Sequence, residues 1–199
     1  KYLESFRQNY QLNNDISYEL VNDGLILPLV ANDSVQFQQG GVIDSKGEFI
    51  SNSLTKRISP IDQDLYFAPW FIGLKDQCIS DFSGLSIIQE EVIFLGAMPM
   101  HYGHFLFEGT SRVWIKNIFD PKLHKFVFIS FRRNHMDFLE FFECLGIPLE
   151  NIFQITSPTK FKSIVIPEAS IRLHDYYHKK FVNSVAVNRC NSLNSQSRK

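Results

Sequence analysis

Short apolar runs and helix-period stretches alternate through the second half of the chain, and that rhythm predicts its fold. Val92-Ile93-Phe94-Leu95, bounded by Glu91 and Gly96, predicts a strand. A helix is expected from Tyr102 to about Asn117, then a strand over Lys125–Ser130. Met136–Leu145 predicts a second helix, closed by Gly146 and stopped by Pro148. Strands follow at Ile152–Ile155 and Phe161–Ile166, and a last helix at about Tyr176–Arg189. Alternation of this kind implies an α/β fold with a mostly parallel sheet and helices on its faces. Ligands of such folds bind beyond the carboxyl ends of the strands.

The first half has a weaker rhythm. Residues 1–20 are polar with little periodicity, Leu25–Val30 reads as a strand, and residues 51–84 read as irregular. Gly40–Ile50 predicts a hairpin around Asp44-Ser45-Lys46-Gly47, with Gly47 suited to a positive-φ turn position. The expected organisation is a β-rich segment over 1–90 packed on an α/β lobe over 91–190, with a Ser/Asn-rich linker over 191–199.

Composition narrows the class. Of 199 residues, 44% are apolar, enough for a substantial core, and the 19 Phe sit mostly in apolar runs. With 20 basic and 21 acidic residues the net charge is −1, which argues against a general nucleic-acid binder. Cys78, Cys144 and Cys190 are too far apart for a disulfide framework or a zinc site, and Cys144, inside an apolar helical pattern, reads as a buried small hydrophobe. A reducing, cytoplasmic compartment fits best. No apolar run reaches ~18 residues, so no spanning segment is expected, and no signal peptide is visible. The chain starts at Lys1 and ends at Ser197-Arg198-Lys199, which allows it to be a piece of a longer protein.

The sharpest candidate chemistry lies on the helix expected after residue 102. Residues four apart share one face of a helix, so His104, Glu108 and Arg112 form a stripe, with Leu106, Phe107, Val113, Trp114 and Ile118 on the opposite arc. A histidine near a helix start is disfavoured as imidazolium and can serve as a base. Glu108 can orient it or bind hydroxyls, and Arg112 can hold a phosphate or carboxylate in a two-pronged contact. An ordinary capped helix with a Glu–Arg pair and a satisfied histidine explains the same stripe. Arg132-Arg133-Asn134-His135, between a strand and a helix, is a second place for a phosphate, against a plain solvated loop. His101/His104 and His174/His178 have metal-ligand spacing but lack convincing further ligands, so no metal is expected. Gly40-Gly41 lacks a phosphate-loop context. There is no G-x-S-x-G and no cysteine nucleophile with a paired histidine.

Three segments in order, Gly41–Ile50, Tyr102–Trp114 and Phe161–Ser170, together resemble the amino-terminal half of glycosyltransferase family sixty-one, whose bacterial members include capsular and exopolysaccharide biosynthesis proteins. The resemblance covers roughly residues 40–190. It implies a two-lobed GT-B architecture with Rossmann-like lobes and inverting, metal-independent transfer from a nucleotide sugar to a glycan acceptor, with no cofactor. The first lobe then carries the acceptor, and a carboxyl-terminal lobe of the same protein holds most donor contacts. The family's His-Phe-Leu-x-Glu helix maps onto His104, Phe105, Leu106 and Glu108, with Arg112 further along. His104 or Glu108 is the expected base. Tyr102, Gly103, Arg112, Arg132 and Arg133 are the expected acceptor- or phosphate-binding residues. The family's second-lobe strand would begin where this chain stops, so the chain reads as an isolated first lobe. The resemblance also allows peripheral association with the inner face of a membrane through a lipid-linked acceptor, and a homo-oligomer. The competing expectation is a non-catalytic carbohydrate-binding or assembly domain that keeps the fold.

Overall fold

A computed structural model describes residues 10–12, 15–29, 40–58, 65–67, 82, 84–130, 139–172 and 176–180. Their strands are β1 (Tyr10–Leu12), β2 (Tyr18–Leu27), β3 (Gly41–Ile43), β4 (Phe49–Ile50), β5 (Lys56–Ile58), β6 (Leu65–Phe67), β7 (Ile87–Ala97), β8 (Lys125–Ile129), β9 (Ile152–Gln154), β10 (Thr159–Pro167), β11 (Ile171–Arg172) and β12 (Tyr176–His178). Among the described residues, a seven-stranded sheet has the order β4-β3-β2-β10-β7-β8-β9. β10, β7, β8 and β9 run parallel, with Val165, Ile93, Phe126 and Ile152 in one row. β2 pairs antiparallel with β10, β3 with β2, and β4 with β3. The chain is therefore α/β, with a mixed sheet whose parallel half comes from the strands expected after residue 90.

Burial on both faces explains why Val92–Leu95 of β7, Phe126–Ile129 of β8 and Ile164–Ile166 of β10 read as unbroken apolar runs. Val92 and Phe94 of β7, Val127 and Ile129 of β8, and Ile164 and Ile166 of β10 face one core with Ile26 and Val42. Ile93, Leu95, Phe126, Phe128 and Val165 face the other, against Phe105, Val113, Trp114, Ile115 and Phe142 of the crossovers.

The hairpin forms as expected. The Asp44 carboxylate accepts the Lys46 and Glu48 amides at 2.9 and 2.8 Å, and Gly47 adopts φ 85°. Two further expectations need correction. Tyr18–Leu20 begins a strand, although its sequence is polar, because it pairs with the end of β10 (Tyr18 opposite Pro167). Tyr176–His178 is a strand, and helical backbone begins only after it, at Lys179 and Lys180, so the last helix starts later than expected. The strand pairs parallel with β1 and antiparallel with β11, partners that no local periodicity reveals. Residues 181–199 lie outside the described residues. The boundary expected at residue 90 falls inside β7, and strands from both sides of it share the sheet.

Two α-helical segments are described between the strands, α1 (Tyr102–His104) and α2 (Leu139–Cys144). The end of α2 is closed as its sequence predicts. Ile147 N donates to Phe142 O at 2.9 Å and Gly146 N to Glu143 O at 2.8 Å, with Gly146 at φ 84°. This is the paired-bond helix stop that requires a left-handed residue. Gly146→Ala is expected to cost about 1 kcal/mol, read as a lowered urea midpoint; an unchanged midpoint contradicts it. Cys144 is exposed, not buried. Leu139, Phe142 and Leu145 take the inward face of this short helix, and Cys144 falls on the outward one.

Candidate functional site

Ala97, Ile129, Gln154 and Pro167 end the four parallel strands. The segment leaving β7 carries most of the expected chemistry. It is not the single α-helix its periodicity suggested. α1 passes into a π turn over Phe105–Gly109, and a 3-10 turn follows over Val113–Asn117. Thr110 N donates to Phe105 O at 3.1 Å, the five-residue step that defines the π turn. The physical cause lies in Gly109-Thr110-Ser111, three poor helix formers in a row. The Thr110 hydroxyl donates back to Leu106 O at 2.6 Å and the Ser111 hydroxyl to Glu108 O at 2.7 Å. A Cβ on Gly109 would stand 2.9 Å from the Phe105 ring.

The change of winding turns the stripe around. Phe107 and Ile118, expected inside, are 45% and 54% exposed, while Glu108 and Arg112 are buried and Phe105, Val113, Trp114 and Ile115 fill the core. His104 keeps its relation to Glu108. Its Nδ1 lies 3.0 Å from Glu108 Oε2, with the imidazole 36% exposed and the carboxylate 4% exposed. A carboxylate at Nδ1 favours the tautomer with its proton there, which puts the ring's lone pair on Nε2. His101 stacks edge-on to His104, ring centroids 5.5 Å apart. Tyr102 is exposed and Gly103 half-buried on the same turn.

Arg112 does something other than expected. Its Nε donates to Pro167 O at 2.9 Å, and its Nη2 to Asn52 O at 2.8 Å and Leu54 O at 3.1 Å. The side chain is 2% exposed. Burial pushes its guanidinium down to about 10, opposed by Tyr176, so it stays a cation at neutral pH. Arg112 thus ties backbone carbonyls together inside the fold and does not reach a ligand at the surface. Burial, with Arg172 and Arg112 nearby, also lowers the Lys56 ammonium.

The exit of β10 closes over this segment. Trp114 Nε1 donates to Glu168 O at 2.9 Å, and Ser170 N to Ser111 O at 2.9 Å. The Glu168 carboxylate accepts Ser17 N at 3.0 Å. Sequence reasoning did not single out Ser111, Glu168 or Ser170 as contributors to a site. The third resembling segment contained the last two, which was the available signal. Arg132 and Arg133 of the expected phosphate loop, and His174 of the second histidine pair, lie outside the described residues. Among the described residues, no group of three or more His, Cys, Asp or Glu side chains is arranged to hold a metal ion. Among the same residues, no helix is long and apolar enough to cross a membrane.

No family model, no curated protein and no solved structure matches this chain.

Proposed function

We propose that this chain is the acceptor-side, Rossmann-like lobe of an inverting, metal-independent GT-B glycosyltransferase acting on a polysaccharide or glycan. One observation carries the reading: a buried Glu108 carboxylate 3.0 Å from Nδ1 of a part-exposed His104, just past the end of β7. A pair of this kind suits removal of a proton from an acceptor hydroxyl. His104 Nε2 takes the proton, and Glu108 stabilises the imidazolium that forms. The freed oxygen attacks the anomeric carbon from the face opposite the nucleotide. The bond from that carbon to the phosphate oxygen breaks, and the nucleoside diphosphate leaves with the electron pair. Basic groups and backbone donors must meet the departing charge. In this reading they come from a second lobe and from Arg132 and Arg133, while Tyr102 and Gly103 line the acceptor side. The reaction then takes place in the cytoplasm, at the inner membrane face where the acceptor is lipid-linked.

A carbohydrate-binding domain without transfer is the second reading. It is favoured by Arg112, whose buried Nε and Nη2 donate to backbone carbonyls. The two separate in an assay of the full-length protein against a panel of nucleotide sugars and glycan acceptors. Acceptor-dependent release of nucleoside diphosphate, with inverted anomeric configuration in the product, is expected. Glycan binding without release in a folded sample sinks the transferase.

A further inference from the structure

We propose that Ser170, acting through Ser111, is a positioning residue that holds Glu108 against His104. Ser170 and Ser111 are 0% and 2% exposed. A hydroxyl taken out of water at such a place costs stability unless it is bonded. Both are bonded, and in series. Ser170 directs its amide and its hydroxyl at the same acceptor, Ser111 O, whose two lone pairs can take both. The Ser111 hydroxyl in turn donates to Glu108 O at 2.7 Å. Ser170 O is itself held by His178 N at 2.6 Å, which ties the chain of bonds to β12. The carboxyl end of β10 is thereby linked, through two hydroxyls, to the residue whose carboxylate faces the imidazole.

The arrangement is more specific than general packing. The π turn has an unusual winding, and Glu108 is buried within it. Ser111 N also donates to Glu108 O, at 3.3 Å, so the hydroxyl and amide of one residue grip the carbonyl next to Gly109. Without the latch, the Glu108 backbone loses the hydroxyl bond that fixes it, and the carboxylate is no longer held in one position at Nδ1. A rigid carboxylate keeps one tautomer of His104; a displaced one leaves the ring free to exchange between both. The consequence for transfer rests on the reading of His104 as the base, whereas the effect on the ring does not.

Nitrogen-15 NMR of the His104 ring in the full chain separates the two. The wild-type ring is expected to give one protonated Nδ1 and one unprotonated Nε2 resonance. In Ser170→Ala and in Ser111→Ala the two should move toward exchange-averaged positions. In an acceptor-dependent assay kcat should fall about tenfold to a hundredfold with KM little changed, as for a misplaced catalytic pair. Ser111→Ala removes one hydroxyl and keeps the carbonyl that Ser170 grips, so it decides the matter if Ser170→Ala does not fold. Wild-type ring resonances retained in a folded variant, or a wild-type ring already averaged, overturn the latch. Altered resonances in a protein that transfers no sugar uphold the latch and reject the transferase.

Discussion

Replacing Arg112 with Ala is expected to destabilise the fold by about 3–5 kcal/mol, because it leaves buried acceptors unsatisfied. Pro167 O, Asn52 O and Leu54 O each lose a charged donor at 2.8–3.1 Å. Against a total stability of about 5–15 kcal/mol for a typical domain, such a loss approaches global unfolding. Arg112→Lys should recover little of it. One ammonium is a point donor and cannot reproduce a planar fork serving three separated carbonyls. Gly96 belongs to the same device. It sits at φ 92°, and a Cβ there would stand 2.5 Å from Arg112 Nη1, so Gly96→Ala should also destabilise. Urea unfolding followed by tryptophan fluorescence tests this, since Trp114 is buried two residues away. An Arg112→Ala midpoint within about 1 kcal/mol of the parent would refute the clamp.

The clamp brings together parts of the chain that are far apart in sequence. The Gly41–Ile50 hairpin is followed by the turn at Ser51–Ser53, whose Ser53 hydroxyl accepts Val42 N at 2.9 Å and donates to Ile50 O at 2.6 Å. Arg112, in the second segment, takes Asn52 O and Leu54 O on that turn and Pro167 O in the third. Trp114 and Ser111 then meet Glu168 and Ser170. The stretch that follows the hairpin and the exit of β10 thus meet on one buried guanidinium, close in sequence to the turn carrying His104 and Glu108.

How much of this was legible follows from whether the cause is local. Val92–Leu95 of β7, Phe126–Ile129 of β8 and Ile164–Ile166 of β10 were readable because strand segments buried on both faces are apolar without interruption. The stop at Gly146 and the hairpin at Asp44–Gly47 were readable because their hydrogen bonds close within a few residues. The His104–Glu108 contact was readable as a four-residue spacing, and it survives into the structure. The role of Arg112 was not readable. Its partners at residues 52, 54 and 167 are non-local, and at the level of spacing a buried arginine looks like an exposed one. The inward turn of Glu108 is hidden from apolar periodicity because Gly109-Thr110-Ser111 changes the winding, its hydroxyls competing for helix carbonyls. β12 was missed for the opposite reason: nothing near Tyr176 announces that it pairs with Tyr10.

His104→Ala is expected to lower turnover by about a hundredfold to ten-thousandfold, the range for loss of a general base, and to lower the unfolding midpoint less than Arg112→Ala does. The ring is part-exposed and packs edge-on to His101, so the fold depends on it far less than on Arg112. Glu108→Gln should cost less than His104→Ala. A glutamine oxygen can still accept from Nδ1, but a neutral amide loses the attraction to the developing imidazolium across 3.0 Å in a site where the partner is only 4% exposed. Removing both should cost little more than removing His104 alone, because Glu108 acts through the ring and paired residues are strongly non-additive. This pattern separates a catalytic pair from an ordinary satisfied histidine. If the pair is only structural, all three variants keep wild-type turnover per folded molecule. If Glu108 is itself the base, Glu108→Gln becomes the most damaging single change and His104→Ala a mild one. The steady-state rates of the two single variants and the double variant, measured with one donor and one acceptor, therefore assign the proton to one of the two side chains or to neither.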